Sequence, residues 1–318
     1  MSQKRRVGLL FPGQGAQYIG MGKDLYENYP EAKAVFDLAA SILDFDILNM
    51  CFNGPQEDLQ RTRYAQSAIF IVSMAAFAVF KSEYKGYADT EFFAAGLSLG
   101  EATALTTAGA FDLKTGIEFV RDRGLYMDEA SEIEPGSMAA VMGLDLEKVE
   151  MQCELSGAEV GNLNCPGQVV ISGKKDAVIK ASELCVKAGA RRVMPLQVSG
   201  AFHSECMNSA CEKIETLLNR VEIHPPNFTV VSNLTAQPES EVGDIKQNLV
   251  KQMNHRTLWQ DSMRYFLDAG VMEYYEIGPG KVLKGLMRKI DPEANVQPLG
   301  TADDFKSFNL ETSNATKK

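Results

Sequence analysis

Gly96-Leu97-Ser98-Leu99-Gly100 fits G-x-S-x-G. Residues of these types at this spacing can do nucleophilic catalysis. A sharp strand-to-helix turn holds a serine oxygen exposed, and the flanking glycines keep side chains away from the turn. The neighbouring sequence predicts that context. Phe92–Leu97 is a short apolar run bounded by Glu91 and a Gly-Ser-Gly cluster, which reads as a buried strand. Small helix formers follow from Leu99 to Ala108. The Leu99 N–H, at the helix start, can then point at a developing oxyanion. The alternative is a glycine-rich turn with an ordinary serine; the strand–turn–helix context favours the nucleophile.

A serine nucleophile needs a base. The chain has three histidines. His224 precedes Pro225-Pro226 and reads as a surface turn. His255 lies in a polar stretch, Asn254-His255-Arg256. His203 follows Ser199-Gly200-Ala201-Phe202 and precedes a predicted helix. The positive end of a helix dipole favours neutral imidazole, the form a general base must take. His203 could instead cap the helix or sit satisfied in the core. Beside a serine elbow, the base is the preferred reading.

Two further features bear on chemistry. Phe11-Pro12-Gly13-Gln14-Gly15-Ala16-Gln17 follows the first predicted strand. A dinucleotide fingerprint would need glycine at position 18, where Tyr18 stands. A backbone loop beside a reactive carbonyl would also use these glycines, and Gln14 could lend its N–H to an oxyanion hole. A plain glycine turn is the alternative. The second feature is Arg123. Winding Lys114–Ala130 at about 100° per residue puts Ile117, Phe119, Val120, Tyr126 and Met127 on one face. Arg123 falls in the middle of that apolar face. A buried guanidinium needs an anionic or hydrogen-bonding partner. Periodicity leaves two open: a structural carboxylate, or a substrate carboxylate held bidentately.

These residues must be positioned by a larger framework. Strands are predicted at Val7–Phe11 and Phe92–Leu97, and helices at Tyr29–Ile42, Ser67–Phe80 and Lys114–Ala130, the last capped by Asp112. The texture changes near Glu132–Gly136. Ser137–Met142, Val160–Asn164, Gln168–Ser172 and Arg192–Val198 read as strands, with helices at Asp145–Leu155 and Asp176–Ala188. That is the ferredoxin-like order β-α-β-β-α-β, inserted into a larger α/β unit. The larger unit resumes with a helix at Ser204–Arg220, a strand at Thr229–Ser232, helices at Asp244–Met253 and Leu258–Ala269, a strand at Met272–Ile277 and a last helix to Ile290. The expected division is 1–134 with 203–308 as catalytic domain, 135–202 as small domain, and 309–318 as a disordered tail.

The composition is that of a globular chain of 318 residues, 45% hydrophobic and 23% charged. Its net charge of −10 argues against general nucleic-acid binding, and an anionic partner must meet a local basic patch. Six cysteines, none in CxxC, read as reduced thiols with no zinc spacing. The apolar run after the basic N-terminus is too short for a signal peptide, and Ala68–Phe80 is too short to span a bilayer. The expectation is a cytoplasmic protein with no membrane partner.

Taken together, FPGQGAQ at 11–17, GLSLGE at 96–101, Arg123-Gly124, NxNxPGQVVISG at 162–173, AFH at 201–203 and EIGPGKVLKGL at 276–286 resemble the malonyl-CoA:acyl carrier protein transacylases. The resemblance covers about residues 5–300. It implies an α/β-hydrolase-like large domain with an inserted ferredoxin-like domain. It implies Ser98 as nucleophile, His203 as base, the Gln14 and Leu99 N–H groups as oxyanion hole, and Arg123 as clamp for the malonyl carboxylate. It also implies that a main-chain carbonyl orients the histidine, and the matching position is Gln252. Phe202 resembles the variant of its segment that goes with malonyl rather than branched acyl units. The family usually has histidine where this chain has Leu97. The implied reaction is ping-pong transfer from malonyl-CoA to the carrier-protein thiol without metal or redox cofactor; the chain is expected to act as a monomer. The alternatives are a discrete acyltransferase of a polyketide pathway, or an acyl-editing hydrolase, whose simple acyl esters would not need Arg123.

Overall fold

The computed structural model describes residues 4–315. The chain opens with β1 (Arg5–Phe11) and four short-to-medium helices, α1 (Lys23–Asn28), α2 (Pro30–Ile42), α3 (Ile47–Phe52) and α4 (Gln56–Gln60). The long α5 (Thr62–Glu83), β2 (Thr90–Gly96), α6 (Leu99–Thr107) and α7 (Leu113–Ile133) follow. Next come β3 (Gly136–Met142), α8 (Leu146–Ser156), β4 (Glu159–Cys165), β5 (Gln168–Lys174), α9 (Lys175–Lys187) and β6 (Arg192–Pro195). The chain then forms α10 (Asn208–Leu218), β7 (Thr229–Val231), β8 (Pro238–Glu239), α11 (Val242–Gln252) and α12 (Trp259–Asp268). It closes with β9 (Glu273–Ile277), α13 (Val282–Ile290), β10 (Val296–Leu299) and α14 (Ala302–Ala315).

Six strands form one sheet in the order β10-β9-β1-β2-β7-β8. Its pairings are parallel except the last, β7 with β8. Both faces are covered, which is why β1 reads as a continuous apolar run. Val7, Leu9 and Phe11 pack on one side with α2 and α5 residues. Leu10 packs on the other with Trp259, Phe266 and Met287 of α12 and α13. Helix α5 is long and apolar enough to cross a membrane, but here sixteen of its 22 residues are buried within the fold.

The second sheet is antiparallel, in the order β4-β5-β3-β6. With α8 and α9 on one face it has the ferredoxin-like arrangement that the sequence predicts. Its other face supplies Met138, Ala140 and Val170 to the main core. The two units are stitched at 161–163 and 257. Leu163 N–H donates to the Thr257 carbonyl at 2.9 Å, and Thr257 N–H to the Gly161 carbonyl at 2.8 Å.

The structure departs from the sequence reading at the C-terminal end. Instead of a disordered tail from 309, α14 continues through Ala315, and 316–318 lie outside the described residues. The helix has an anchored start. Asp304 accepts from the Gly300 and Thr301 N–H groups, and Asp24 accepts from Ala302 N–H. Phe305 and Phe308 are buried in the core. Strand β10 was also not foreseen. It is four residues long, contains Pro298 and lies at the sheet edge, where proline is tolerated.

Candidate active site

Register puts the two glycine motifs side by side. Phe11 pairs with Gly96, so the loops after β1 and β2 leave the same edge of the parallel sheet, where α/β folds bind ligands. Leu97 N–H donates to the Phe11 carbonyl at 3.1 Å. Ser98 has φ 53° and ψ −103°, the left-handed strain of a nucleophile elbow. The turn is possible only with its glycines. A Cβ on Gly96 would lie 2.0 Å from the Gly100 backbone, and one on Gly100 would lie 2.1 Å from the Phe11 carbonyl oxygen.

His203 lies with Ser98. Its Nε2 is 2.9 Å from Ser98 Oγ, and its Nδ1 is 2.7 Å from the Gln252 main-chain carbonyl. A carbonyl can only accept, so Nδ1 carries the proton and Nε2 is free to take one from the serine. The ring is 3% exposed. Burial, followed by the nearby Arg123 charge, pulls its pKa down to about 4, while the bond to Gln252 opposes the shift. The neutral base was expected from a helix dipole. The α-helix starts only at Asn208, after a 3-10 turn at Glu205–Met207, so burial takes that part. His224 and His255 are far more exposed; the His255 ring meets the Lys251 carbonyl and Asn254 Oδ1.

Arg123 comes in from α7 and is 1% exposed. Its Nη2 donates to Ser98 Oγ at 3.1 Å and to Gln252 Oε1 at 2.8 Å, and its Nη1 donates to Gln66 Oε1 at 2.6 Å. Burial lowers its pKa to about 10, and the Glu101 charge opposes that. It is still a cation at neutral pH, facing the nucleophile. Asp128, on the same helix, is also buried and meets Arg61 at 3.4 Å.

Ser98, His203, Gln14, Leu99 and Phe202 all border one cavity of about 230 Å³, with Leu97, Gln66, Met138 and Val170 among its walls. Leu99 begins α6, so its N–H has no acceptor within the helix. The Gln14 side chain bonds Thr62 Oγ1 at 3.2 Å, which anchors the loop that carries its N–H. Gln14 and Leu99 thus line the same cavity as Ser98, and their N–H groups are the candidates for an oxyanion hole. Phe202 is held through its carbonyl by Ser172 Oγ at 2.6 Å.

Sequence reasoning missed three polar residues of this site. Asn233 Oδ1 accepts from Ser98 N–H at 2.6 Å, and its Nδ2 donates to the Gly96 carbonyl at 2.7 Å. Gln66 and Glu101 bond Arg123 and Gln252 respectively. Gln66 carries the same signal as Arg123, a polar residue within an apolar helix run. Asn233 carries none; only the fold brings it to the elbow.

Known proteins share this sequence and fold. The acyl transferase domain family matches residues 9–266. A malonyl CoA-acyl carrier protein transacylase of Bacillus subtilis (strain 168) is 42% identical over 291 residues, 90% of each chain. The acyl-carrier-protein-S-malonyltransferase structure from Bartonella henselae superposes with a TM-score of 0.91 at 36% identity, over 95% of this chain and 98% of that one. A malonyl-transacylase solved in complex with its type II PKS acyl-carrier protein gives 0.90 at 34% identity, over 95% and 98%. The chain belongs to the acyl transferase family, among the malonyl CoA-acyl carrier protein transacylases.

Proposed function

We propose that this chain transfers a malonyl group from malonyl-CoA to the phosphopantetheine thiol of an acyl carrier protein, through a malonyl ester on Ser98. One observation carries the reading. A buried guanidinium stands 3.1 Å from the nucleophilic oxygen, where a malonyl carboxylate would arrive. A desolvated cation in that place fits a substrate that brings its own negative charge.

The steps balance without a metal or a redox group. Ser98 Oγ attacks the thioester carbon and passes its proton to His203 Nε2. The oxyanion rests on the Gln14 and Leu99 N–H groups. The tetrahedral adduct collapses, and the coenzyme A sulfur leaves with the proton from His203. The carrier-protein thiol then gives its proton to His203 and attacks the ester carbon. Ser98 Oγ leaves and takes the proton back. Phe202 narrows the acyl cavity against an α-methyl group. The enzyme acts as a monomer in the cytoplasm; six buried cysteines without a disulfide fit a reducing compartment.

A second reading has support from one neighbour, the transacylase complexed with a type II PKS carrier protein. There the same chemistry would serve a polyketide carrier. Relative kcat/KM toward carrier proteins of the two pathways separates them.

Intact-mass analysis tests the central step. Mixed with malonyl-CoA, the protein should gain one malonyl group, and Ser98→Ala should gain none. Holo-carrier protein should then remove the group as malonyl carrier protein. A malonyl adduct that persists on Ser98→Ala overturns the assignment.

A further inference from the structure

Behind the site lie two buried glutamates that the transfer steps do not use. Glu101 sits on α6, three residues after Ser98, and Glu239 sits on the edge strand β8. Both are buried. Glu101 Oε2 accepts from Asn233 N–H and from Gln252 Nε2, each at 2.8 Å. Asn233 is the residue whose side chain bonds Ser98 N–H and the Gly96 carbonyl. Gln252 offers its main-chain carbonyl to His203 and its Oε1 to Arg123, and its Nε2 also donates to the Ser98 carbonyl at 3.1 Å. One carboxylate oxygen therefore holds both arms of the site. One arm shapes the turn under the nucleophile. The other orients the base and the cation.

The second oxygen explains the partner. Glu101 Oε1 and Glu239 Oε1 are each buried with no donor from another group. The two carboxyl groups are neighbours. Two bare carboxylates there would repel, so a proton on the pair is favoured. Glu239 holds it more strongly. Burial and then the Glu101 charge raise its pKa well above the usual carboxylate value; burial raises that of Glu101 too, but the Asn233 N–H, the Gln252 amide and the Arg123 cation pull Glu101 back toward the ionised form. Asn248 Nδ2 holds the far oxygen of Glu239 at 3.0 Å.

We propose that Glu101 is a positioning residue of the acyl transfer: through Asn233 and Gln252 its carboxylate keeps Ser98, His203 and Arg123 in common register. The inference rests on Arg123 as the malonyl clamp. It differs from a purely structural role in what it does to selectivity. Loss of the Gln252 amide contact disturbs the base and the clamp together. An acyl group without a carboxylate needs only the base and the elbow.

The test compares malonyl and acetyl loading rates per folded enzyme, by rapid-quench intact mass with malonyl-CoA and acetyl-CoA. Glu101→Leu keeps volume but leaves buried N–H donors without an acceptor. It should slow malonyl loading about a hundredfold and acetyl loading about tenfold, so the ratio falls about tenfold. Glu101→Gln keeps an oxygen for both N–H groups and offers an N–H to Glu239. It should stay within about threefold of wild type for both donors. If Glu101→Leu does not fold, Glu101→Asp serves: it keeps the charge but draws the oxygen away from Gln252, and the ratio should again fall. A wild-type ratio in Glu101→Leu, or in Glu101→Asp where that is the folded variant, overturns the inference, as does Glu101→Gln falling as far as Glu101→Leu. A wild-type enzyme that takes no malonyl group overturns the functional reading and this inference with it.

Discussion

Ser98, His203 and Arg123 are each held in a state that water would not favour. Ser98 has a left-handed backbone, His203 is a histidine kept neutral well below its usual pKa, and Arg123 is a cation that no carboxylate contacts among the described residues. The histidine gives the clearest consequence. Burial lowers its pKa to about 4, so the base form persists well below 6.5. The rate of Ser98 acylation should be flat from pH 7 to about 5, then fall with a midpoint near 4. Stability follows the same sign. The unfolded histidine takes a proton near 6.5 and the folded one only near 4, so across that window the unfolded chain binds more protons and stability declines as pH falls. Kcat/KM for loading against pH, by stopped-flow release of coenzyme A thiol, checks the first point. A midpoint near 6.5 would mean that His203 is solvated in the working enzyme.

At the scale of elements, α13 has a basic outer face and an apolar inner one. Lys281, Lys284, Arg288 and Lys289 are exposed, while Leu283, Leu286 and Met287 are buried. The helix borders the active-site cavity through Val282 and Leu286, and Lys289 Nζ bonds Gln168 on its rim at 2.8 Å. On a chain of net charge −10 this is a local basic patch beside the nucleophile. An acidic carrier protein would be steered to it. Lys284→Glu combined with Arg288→Glu should raise KM for carrier protein about tenfold and leave malonyl loading nearly unchanged. A second exposed basic pair, Arg191-Arg192, precedes and opens β6, and unchanged carrier kinetics would move the docking site there. Elements of this kind were readable in sequence. The α13 pattern, the elbow between β2 and α6, and the Asp112 cap, which accepts Thr115 N–H at 2.6 Å, are all local. What was not readable is pairing across the chain. Glu101 meets Asn233 and Gln252 at separations of 132 and 151 residues, and no spacing announces that. Arg123 was placed correctly on its apolar face, yet periodicity could not choose its partner. Its partners, Gln66 and Gln252, are 57 and 129 residues away.

On the scale of the molecule, the site exists because two sheets meet over one cavity. The large sheet brings Gln14 and Ser98 to the carboxyl ends of β1 and β2. The small sheet roofs them with Met138 and Val170, and the segment leaving β6 delivers Phe202 and His203. The inserted order was legible from alternating short strands and helices. The closing β10 and α14 were not, because a four-residue edge strand with a proline gives little periodic signal. Under the proposed function, Arg123 is what decides between a transferase for malonyl groups and a general acyl hydrolase. Its fork suits a carboxylate and opposes a neutral acyl chain. The most direct measurement is the ratio of malonyl to acetyl transfer rates in wild type, Arg123→Lys and Arg123→Ala. The ratio should fall by about a hundredfold or more in Arg123→Ala, with acetyl transfer kept or raised, and Arg123→Lys should lie between. An unchanged ratio in Arg123→Ala would contradict this, leaving Arg123 as a buried structural cation and the malonyl specificity elsewhere.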